Sequence, residues 1–225
     1  MTRIFVHGLG AVSPAGWGVG PLREALHKGQ PIPVQEVAAP GDGRLRVRPV
    51  PPPPQRPPFL AHPRLRRSSI ISQHVVGAAL EALGGDANRN QRLGILVCLM
   101  SGCVTYCRRF FEEVLTDPVM ASPLLFPETV FNASASHLAA YLNSPQVSYT
   151  LVGDDSAFVQ GLATGAGLLL DGRLDGCLVI GAEETDWIVA GSLRLFSPGS
   201  IQAGGVNSAR PATSATSHPA WWTSR

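Results

Sequence analysis

Two adjacent carboxylates stand where this sequence is best placed to do chemistry. Asp154 and Asp155 follow a β-prone run, Val147 to Val152, and precede a run of small and apolar residues, Ser156 to Leu170, that predicts a helix. Such a strand–turn–helix junction presents a side chain to the positive end of a helix, where backbone N–H groups also point. Many α/β enzymes hold a nucleophile at such a junction. Either aspartate could instead be a plain helix N-cap, which needs no chemistry.

Three cysteines form a second candidate cluster. Cys103 and Cys107 are four residues apart, a spacing that places two thiols on one face of a helix, and Cys98 precedes them. The sequence has no histidine and no Cys-x-x-Cys pair close to them, and Cys98 lies within an apolar strand pattern. We therefore predict buried or half-buried free thiols rather than a metal site.

The run Gly8-Leu9-Gly10 follows the first predicted strand, Arg3 to His7, and invites comparison with a dinucleotide-binding loop. That fingerprint needs a third glycine where Ser13 stands, and Pro14 occupies the position where the helix should open. An acidic residue for the ribose is also missing from a second strand roughly 20 residues further on. A tight turn is the better interpretation, and we predict no cofactor.

The elements that must position these residues alternate between strand and helix. Buried strands are predicted over Leu93 to Met100, Val147 to Val152 and Gly176 to Gly181. Helices are predicted over Val19 to Gly29, Ser68 to Leu83, Tyr106 to Leu115, Glu128 to Leu142 and Ser156 to Leu170. This alternation predicts an α/β fold with a mainly parallel sheet and helices on both faces.

Residues 31–63 differ in kind, because seven prolines between Pro49 and Pro58 exclude a helix or a central strand there. We interpret this region as an extended, polyproline-like surface loop. It and the residues after it are locally basic, and a solvated loop is the favoured interpretation. An acidic protein partner comes second, and an SH3-type ligand is a further alternative. The arginines concerned are Arg44, Arg46, Arg48, Arg56, Arg64, Arg66 and Arg67.

Composition excludes several classes of function. The 225 residues carry 18 Lys and Arg against 16 Asp and Glu, a balance that argues against bulk nucleic-acid binding. Four cysteines do not suggest a disulfide scaffold, and no apolar run has the length of a membrane span. We expect a soluble, cytoplasmic protein. Residues 199–225 have no acidic residue and no hydrophobic period, so a disordered or non-native tail is predicted there.

Four segments, in order, resemble the β-ketoacyl synthases of the thiolase-like superfamily. Val6 to Gly16 is similar to their opening strand and turn, and Leu93 to Val97 to their second strand. Phe126 to Asn132 resembles their (F/V)-P-x-x-x-x-N segment, and Asp171 to Glu183 their G-x-x-D-x-x-L-x-G-G-x-E run. The resemblance implies a thiolase-like layered α/β sandwich. Residues 1–198 would be its N-terminal half, with 31–63 as a loop insertion.

The resemblance also implies decarboxylating Claisen condensation of malonyl units on acyl carrier protein, and two departures argue against it here. Asp155 stands at the position of the family's nucleophilic cysteine, with Asp154 before it. The family's two catalytic histidines belong to the C-terminal half, and none of this chain's histidines lies in a matching motif. They are His7, His27, His62, His74, His137 and His218.

In these two departures the sequence resembles the chain-length-factor subunits, which keep the fold, lack the cysteine and pair with an active ketosynthase. We therefore expect a condensation-incompetent partner subunit that forms a hetero- or homodimer with a ketosynthase and serves acyl carrier protein. One alternative is an acyltransferase or decarboxylase of the same family that uses Asp155 or partner residues. Another is a non-functional truncated product, with a frameshift or premature end after Ser197.

Overall fold

A computed structural model describes residues 3–39, 43–84, 92–143, 145–190 and 218–224. Its strands are β1 (Ile4–Leu9), β2 (Val12–Ser13), β3 (Gly16–Trp17), β4 (Gln35–Ala39), β5 (Gly43–Val47), β6 (Leu93–Leu99), β7 (Val147–Val152), β8 (Gly176–Gly181) and β9 (His218–Ser224). Its helices are α1 (Val19–Lys28), α2 (Ile70–Ala82), α3 (Val104–Thr116), α4 (Ala133–Tyr141) and α5 (Ala157–Leu170). Short 3₁₀ turns cover Pro58–Ala61, Leu65–Arg67 and Phe126–Glu128.

The main sheet has five strands in the order β1-β9-β8-β6-β7. β6 pairs in parallel with β7 and β8, whereas β9 runs antiparallel to both β1 and β8. Four of the five strands therefore run in one direction. The mainly parallel α/β sheet that the sequence predicts is confirmed.

Side chains of the central strand β6 alternate between two apolar clusters. Ile95 and Val97 pack with the side chains of α2 and α4 on one side of the sheet. Leu96 and Cys98 pack with Leu168 and other side chains of the α5 side. Because both faces of β6 are buried, its sequence is apolar without alternation, as parallel strands require. Helices therefore lie on both faces, as predicted.

Part of residues 31–63 forms paired strands, which corrects the prediction of a polyproline-like loop throughout. β4 and β5 form an antiparallel hairpin, in which the Arg44 guanidinium lies 3.1 Å from a Glu36 carboxylate oxygen. The proline-rich stretch beyond it is anchored where the indole N–H of Trp17 donates to the carbonyl of Pro51 at 2.9 Å. The hairpin escaped prediction because the prolines, all outside its strands, dominated the composition of the segment.

The tail prediction is wrong for residues 218–224, because they form β9 inside the sheet. Its strand pairing connects β1 to β8, with Val6 opposite Trp222 and Leu178 opposite Trp221. Residues 199–217 lie outside the described residues, and a non-native origin of the tail stays a prediction. Strand β9 forms here through its two neighbours, since its own sequence has no strand period.

Within the described ranges, no helix combines the length and the apolar character needed to cross a bilayer.

Candidate functional site

The junction between β7 and α5 has the predicted strand–turn–helix form. The backbone N–H of Gly153 donates to the carbonyl of Leu99 at 3.0 Å, which ties the turn to the end of β6. A carboxylate oxygen of Asp154 accepts hydrogen bonds from the Ser156 N–H at 2.8 Å and the Ser156 hydroxyl at 2.6 Å. These hydrogen bonds lower the pKa of Asp154. Asp154 is thus the aspartate that organises the turn before α5.

Asp155 projects from the same turn and is exposed. Among the described residues, no hydrogen bond to its carboxylate is found. Neither Asp154 nor Asp155 has a positive φ, because Asn143 is the one non-glycine residue with a positive φ in the described part of the chain. The turn therefore shows no strain of that kind. Asp155 therefore stands as a solvated carboxylate near the N-terminus of α5, at the place where the sequence predicts a nucleophile position.

More carboxylates gather at the same edge of the sheet, because the parallel strands β7, β6 and β8 end there together. Glu183 follows β8, and its carboxylate accepts hydrogen bonds from the N–H groups of Met100 and Ser101 and from the Ser101 hydroxyl. Glu184 accepts the Thr105 N–H at 2.9 Å, at the first turn of α3. With the neighbouring Asp186, this carboxyl edge is strongly acidic.

The one described guanidinium bonded to these acids is that of Arg108. It lies 2.8 Å from a carboxylate oxygen of Asp186 and 2.6 Å from one of Glu112. Burial raises the pKa of Glu184 to about 7, and the nearby charges of Asp186 and Glu183 add to the effect. Sequence reasoning missed Glu184 because its contacts, at Thr105 and Ser101, are about 80 residues away in the chain.

We expect the substitution Glu184→Gln to change the pH dependence of stability. Because the pKa of Glu184 is raised in the folded chain, its stabilising contribution is complete below about pH 4.5 and lost as the pH rises through about 7. The amide keeps an acceptor for Thr105 but never ionises. At pH 8 the variant should therefore be more stable than the parent by up to about 3 kcal/mol, and near pH 4 equal to it.

Urea unfolding of parent and Glu184→Gln from pH 4 to pH 8 measures this difference. Glu36→Gln, the same change at an exposed hairpin position, is the matched control for the substitution itself and for the loss of an exposed ion pair. If the free energy of unfolding depends on pH in the same way for the parent and the Glu184 variant, the pKa of Glu184 is not raised.

The cysteines are free thiols, as predicted. Cys98 and Cys103 are buried and Cys107 is half-buried, and burial raises the pKa of Cys98 to about 11 and that of Cys103 to about 12. Cys177, also buried, has its pKa raised to about 12 for the same reason. Since the thiolate is the reactive form, none of the four is poised as a nucleophile at neutral pH. Across the described ranges, no group of three or more potential metal ligands is found.

Two histidines, His74 and His137, make contacts in the protein interior. His74 packs edge-on to Trp17, and burial lowers the pKa of His74 to about 4. The Nε2 atom of His137 lies 2.5 Å from a carboxylate oxygen of Glu128, whose other oxygen accepts the Ser69 N–H at 2.9 Å. This Glu128 bridge joins the start of α2 to the middle of α4 and gives His137 a structural partner.

An apolar groove of about 320 Å³ lies against α3. Its walls include Phe111, Leu115, Trp187 and Ile188, and Arg108 also lines it. Phe111 and Leu115 are 63% and 84% exposed, so this face of α3 is open to a further binding partner or an apolar chain.

Comparison with solved structures identifies the fold. Over the whole chain, a β-ketoacyl synthase from Burkholderia phymatum STM815 superposes with a TM-score of 0.77 at 15% identity. The ishigamide ketosynthase/chain length factor covers 98% of this chain with a TM-score of 0.72 at 18% identity. The chain has the ketosynthase fold.

A third similar structure is AntDE:AntF, a type II polyketide synthase acyl-carrier protein in complex with its ketosynthase bound to the hexaketide. It covers 99% of this chain with a TM-score of 0.73 at 14% identity. This chain spans 62%, 60% and 58% of the ishigamide, Burkholderia and AntDE:AntF chains respectively. No protein-family model matches the sequence, and neither does any curated protein. The ketosynthase-like fold is therefore recognised from the structure, because the sequence identities are too low for sequence comparison to detect it.

Proposed function

We propose that this chain is a condensation-incompetent partner subunit of a ketosynthase in fatty-acid or polyketide-type assembly, with a role like that of a chain-length factor. The observation that carries the proposal is the exposed carboxylate of Asp155 in the turn between β7 and α5 of a ketosynthase-like fold, because this is the turn where the sequence predicts the family's nucleophile position. An acylated carboxylate would be a mixed anhydride rather than a thioester. Acyl exchange between a cysteine thioester and a carrier thiol is nearly balanced in free energy, whereas exchange between an anhydride and a carrier thiol is not.

The surroundings of Asp155 also disfavour condensation. Malonyl thioesters bring their own carboxylate, and the carboxyl edge of the sheet already carries Asp154, Glu183 and Asp186. Like charges that approach in a partly desolvated site repel one another. Thiols that could replace the missing nucleophile are buried, with raised pKa values. Binding and shaping of an acyl chain is a role that this edge and the apolar groove on α3 can support without chemistry.

The surface for a ketosynthase partner is the outer edge of β7. β7 ends the five-stranded sheet, and on it Tyr149 is 44% exposed and Val152 54% exposed. An exposed edge strand with apolar side chains favours pairing with another chain. One similar structure, the ishigamide ketosynthase/chain length factor, supports a partner of this class.

Acyl carrier protein is the second partner in the proposal, supported by the carrier complex among the similar structures. Arg64, Arg66 and Arg67 are exposed around one 3₁₀ turn, which suits an acidic protein surface or a phosphate group. An exposed arginine cluster of this kind supports a contact with an acidic carrier protein.

The test of the missing chemistry is malonyl-carrier decarboxylation and condensation by the chain with a candidate ketosynthase. Turnover should be the same for the parent and for Asp155→Ala, because the partner supplies the nucleophile. Asp154→Ala removes the adjacent carboxylate and is the matched control for effects on the turn. Asp155→Cys should also fail to give turnover in the isolated chain, since a thiol alone lacks the family's histidines.

A second candidate function is acyl transfer or decarboxylation by Asp155 itself, favoured by an exposed carboxylate near the N-terminus of α5 to which no described residue donates a hydrogen bond. It predicts that turnover falls by about 100-fold or more in Asp155→Ala and much less in Asp154→Ala. That pattern would replace the partner-subunit proposal.

A further inference from the structure

The proline-rich segment of residues 49–58 is held extended by its own covalent structure. A proline ring fixes φ at about −65°, and a residue that precedes proline is restricted to extended ψ values. Residues 50–53 each precede a proline, and they lie in neither a helix nor a strand. Pro57 has φ −61° and ψ 136°, which are polyproline II values. The segment therefore favours a polyproline II helix up to the bend at Pro54 and Gln55.

The exposure of this helix repeats every three residues. Val50 and Pro53 are half-buried, whereas the prolines on either side of each are exposed. Because a polyproline II helix has three residues per turn, Val50 and Pro53 share one edge, which rests on the protein. The two other edges are open to solvent, and successive prolines on each edge are about 9 Å apart. The open edges are formed by Pro49 with Pro52 and by Pro51 with Pro54.

One hydrogen bond fixes the segment to the body of the fold. The indole N–H of Trp17 donates to the carbonyl of Pro51 at 2.9 Å, and the Trp17 ring packs edge-on to His74 of α2. A Cβ atom added at Gly77 of α2 would lie 2.6 Å from the same ring, so this contact is close. The segment is thus already ordered with two edges outward, and a partner that binds it loses less conformational entropy.

A positive charge follows the exposed prolines. Arg56 stands two residues beyond Pro54 and is exposed, and its guanidinium has no ion pair within the part of the chain that the structure describes. The sequence has no Asp or Glu from residue 43 to residue 80. A partner that binds the prolines therefore gains most if it carries a carboxylate for Arg56 beside an apolar groove.

We propose that residues 49–56 are the docking segment for a protein domain of the SH3 type, which binds polyproline II helices in a groove of aromatic side chains. Such a groove packs against proline rings and donates hydrogen bonds to backbone carbonyls, as Trp17 does from inside the protein. Pro51 and Pro54 have the P-x-x-P spacing of its ligands, and Arg56 would pair with acidic residues at the end of the groove. The proposal does not require the ketosynthase-partner role, which uses the edge of β7.

Surface plasmon resonance of the full chain over a panel of immobilised SH3 domains tests the proposal. The panel consists of purified domains whose grooves end in Asp or Glu. We expect binding of the parent chain, and competition by a synthetic peptide of residues 47–58. The double variant Pro51→Ala with Pro54→Ala should raise the dissociation constant by about 10-fold or more, because it removes two rings that contact the groove.

Two further variants test the charge. Arg56→Ala should raise the dissociation constant by about 10-fold, and Arg56→Lys by less, because lysine keeps the positive charge. The matched control is Pro118→Ala, an exposed proline after α3, which should bind as the parent does. All the substituted side chains are exposed, and circular-dichroism melts establish that each variant is folded.

Failure of every domain in the panel to bind the parent would overturn the proposal, and so would binding that the double proline variant retains. Binding that Arg56→Ala leaves unchanged would overturn the pairing of Arg56 with the acidic end of the groove. Acyl carrier protein, the acidic partner proposed for Arg64, Arg66 and Arg67, should bind the double proline variant as it binds the parent. Loss of the carrier instead of the SH3 domains would assign the segment to the carrier contact and overturn the proposal.

Discussion

Substitution of Gly10 by alanine is expected to unfold the chain. A Cβ atom at Gly10 would lie 1.9 Å from the carbonyl oxygen of Ala78, and one at Gly8 would lie 1.9 Å from that of Ala82. Both obstacles are backbone atoms of α2, so no side-chain rotation relieves the clash. Helix α2 would have to move away from the strand, opening a core that includes Ile71 and Val75. We expect destabilisation by several kcal/mol or more, comparable with the whole stability of a domain.

Soluble yield and thermal melts of Gly10→Ala, Gly8→Ala and a control measure this effect. The control is Gly20→Ala in the first turn of α1, where an added Cβ meets no atom within 4 Å. It should melt at or slightly above the parent temperature, because alanine is the better helix former. A Gly10→Ala protein with the parent's melting temperature would mean that β1 and α2 are not in this contact.

The second large effect is expected at the edge of β7, where Tyr149→Lys should abolish capture of the partner ketosynthase. A charged, strongly hydrated side chain on an edge strand opposes pairing with another strand. Tyr149 is already 44% exposed, so the change costs little in the isolated chain. We expect the dissociation constant for the ketosynthase to rise by about 100-fold or more, since a lysine would be buried without a partner.

Phe5→Lys is the matched control for this variant. Phe5 is 47% exposed on β1, the strand at the opposite end of the same sheet. Affinity measured by surface plasmon resonance should fall for the Tyr149 variant alone. Equal losses for both variants would indicate general destabilisation, and no loss for either would move the partner surface away from β7.

The sequence predicts the internal α/β framework well, and the reasons are local. β7 and β8 have the bounds that their apolar runs indicate, and α5 begins directly after the Asp154 turn. In these segments the hydrophobic pattern and the turn residues agree with the tertiary structure. The elbow that presents Asp155 was predictable for the same reason.

What the sequence could not show depends on contacts between distant residues. The close approach of Gly8 to α2 looks in sequence like a turn, because its cause lies more than 70 residues away at Ala82. Strand β9 has no strand pattern and forms between β1 and β8. Glu183 and Glu184 follow a recognisable strand, but nothing in their local sequence indicates that they bind the segment from Met100 to Thr105.

The apolar groove on α3 follows the same division. Phe111 and Leu115 have a helical spacing in the sequence, whereas Trp187 and Ile188, which complete its walls, lie far from them in the chain.

Native mass spectrometry of the chain purified from its own host tests the partner-subunit account most directly. With an affinity tag on the chain, the account predicts a complex that contains the 23.8 kDa subunit together with a ketosynthase. The same preparation made with Tyr149→Lys should lack the ketosynthase. A folded chain recovered without any ketosynthase, alone or only as copies of itself, would contradict the account.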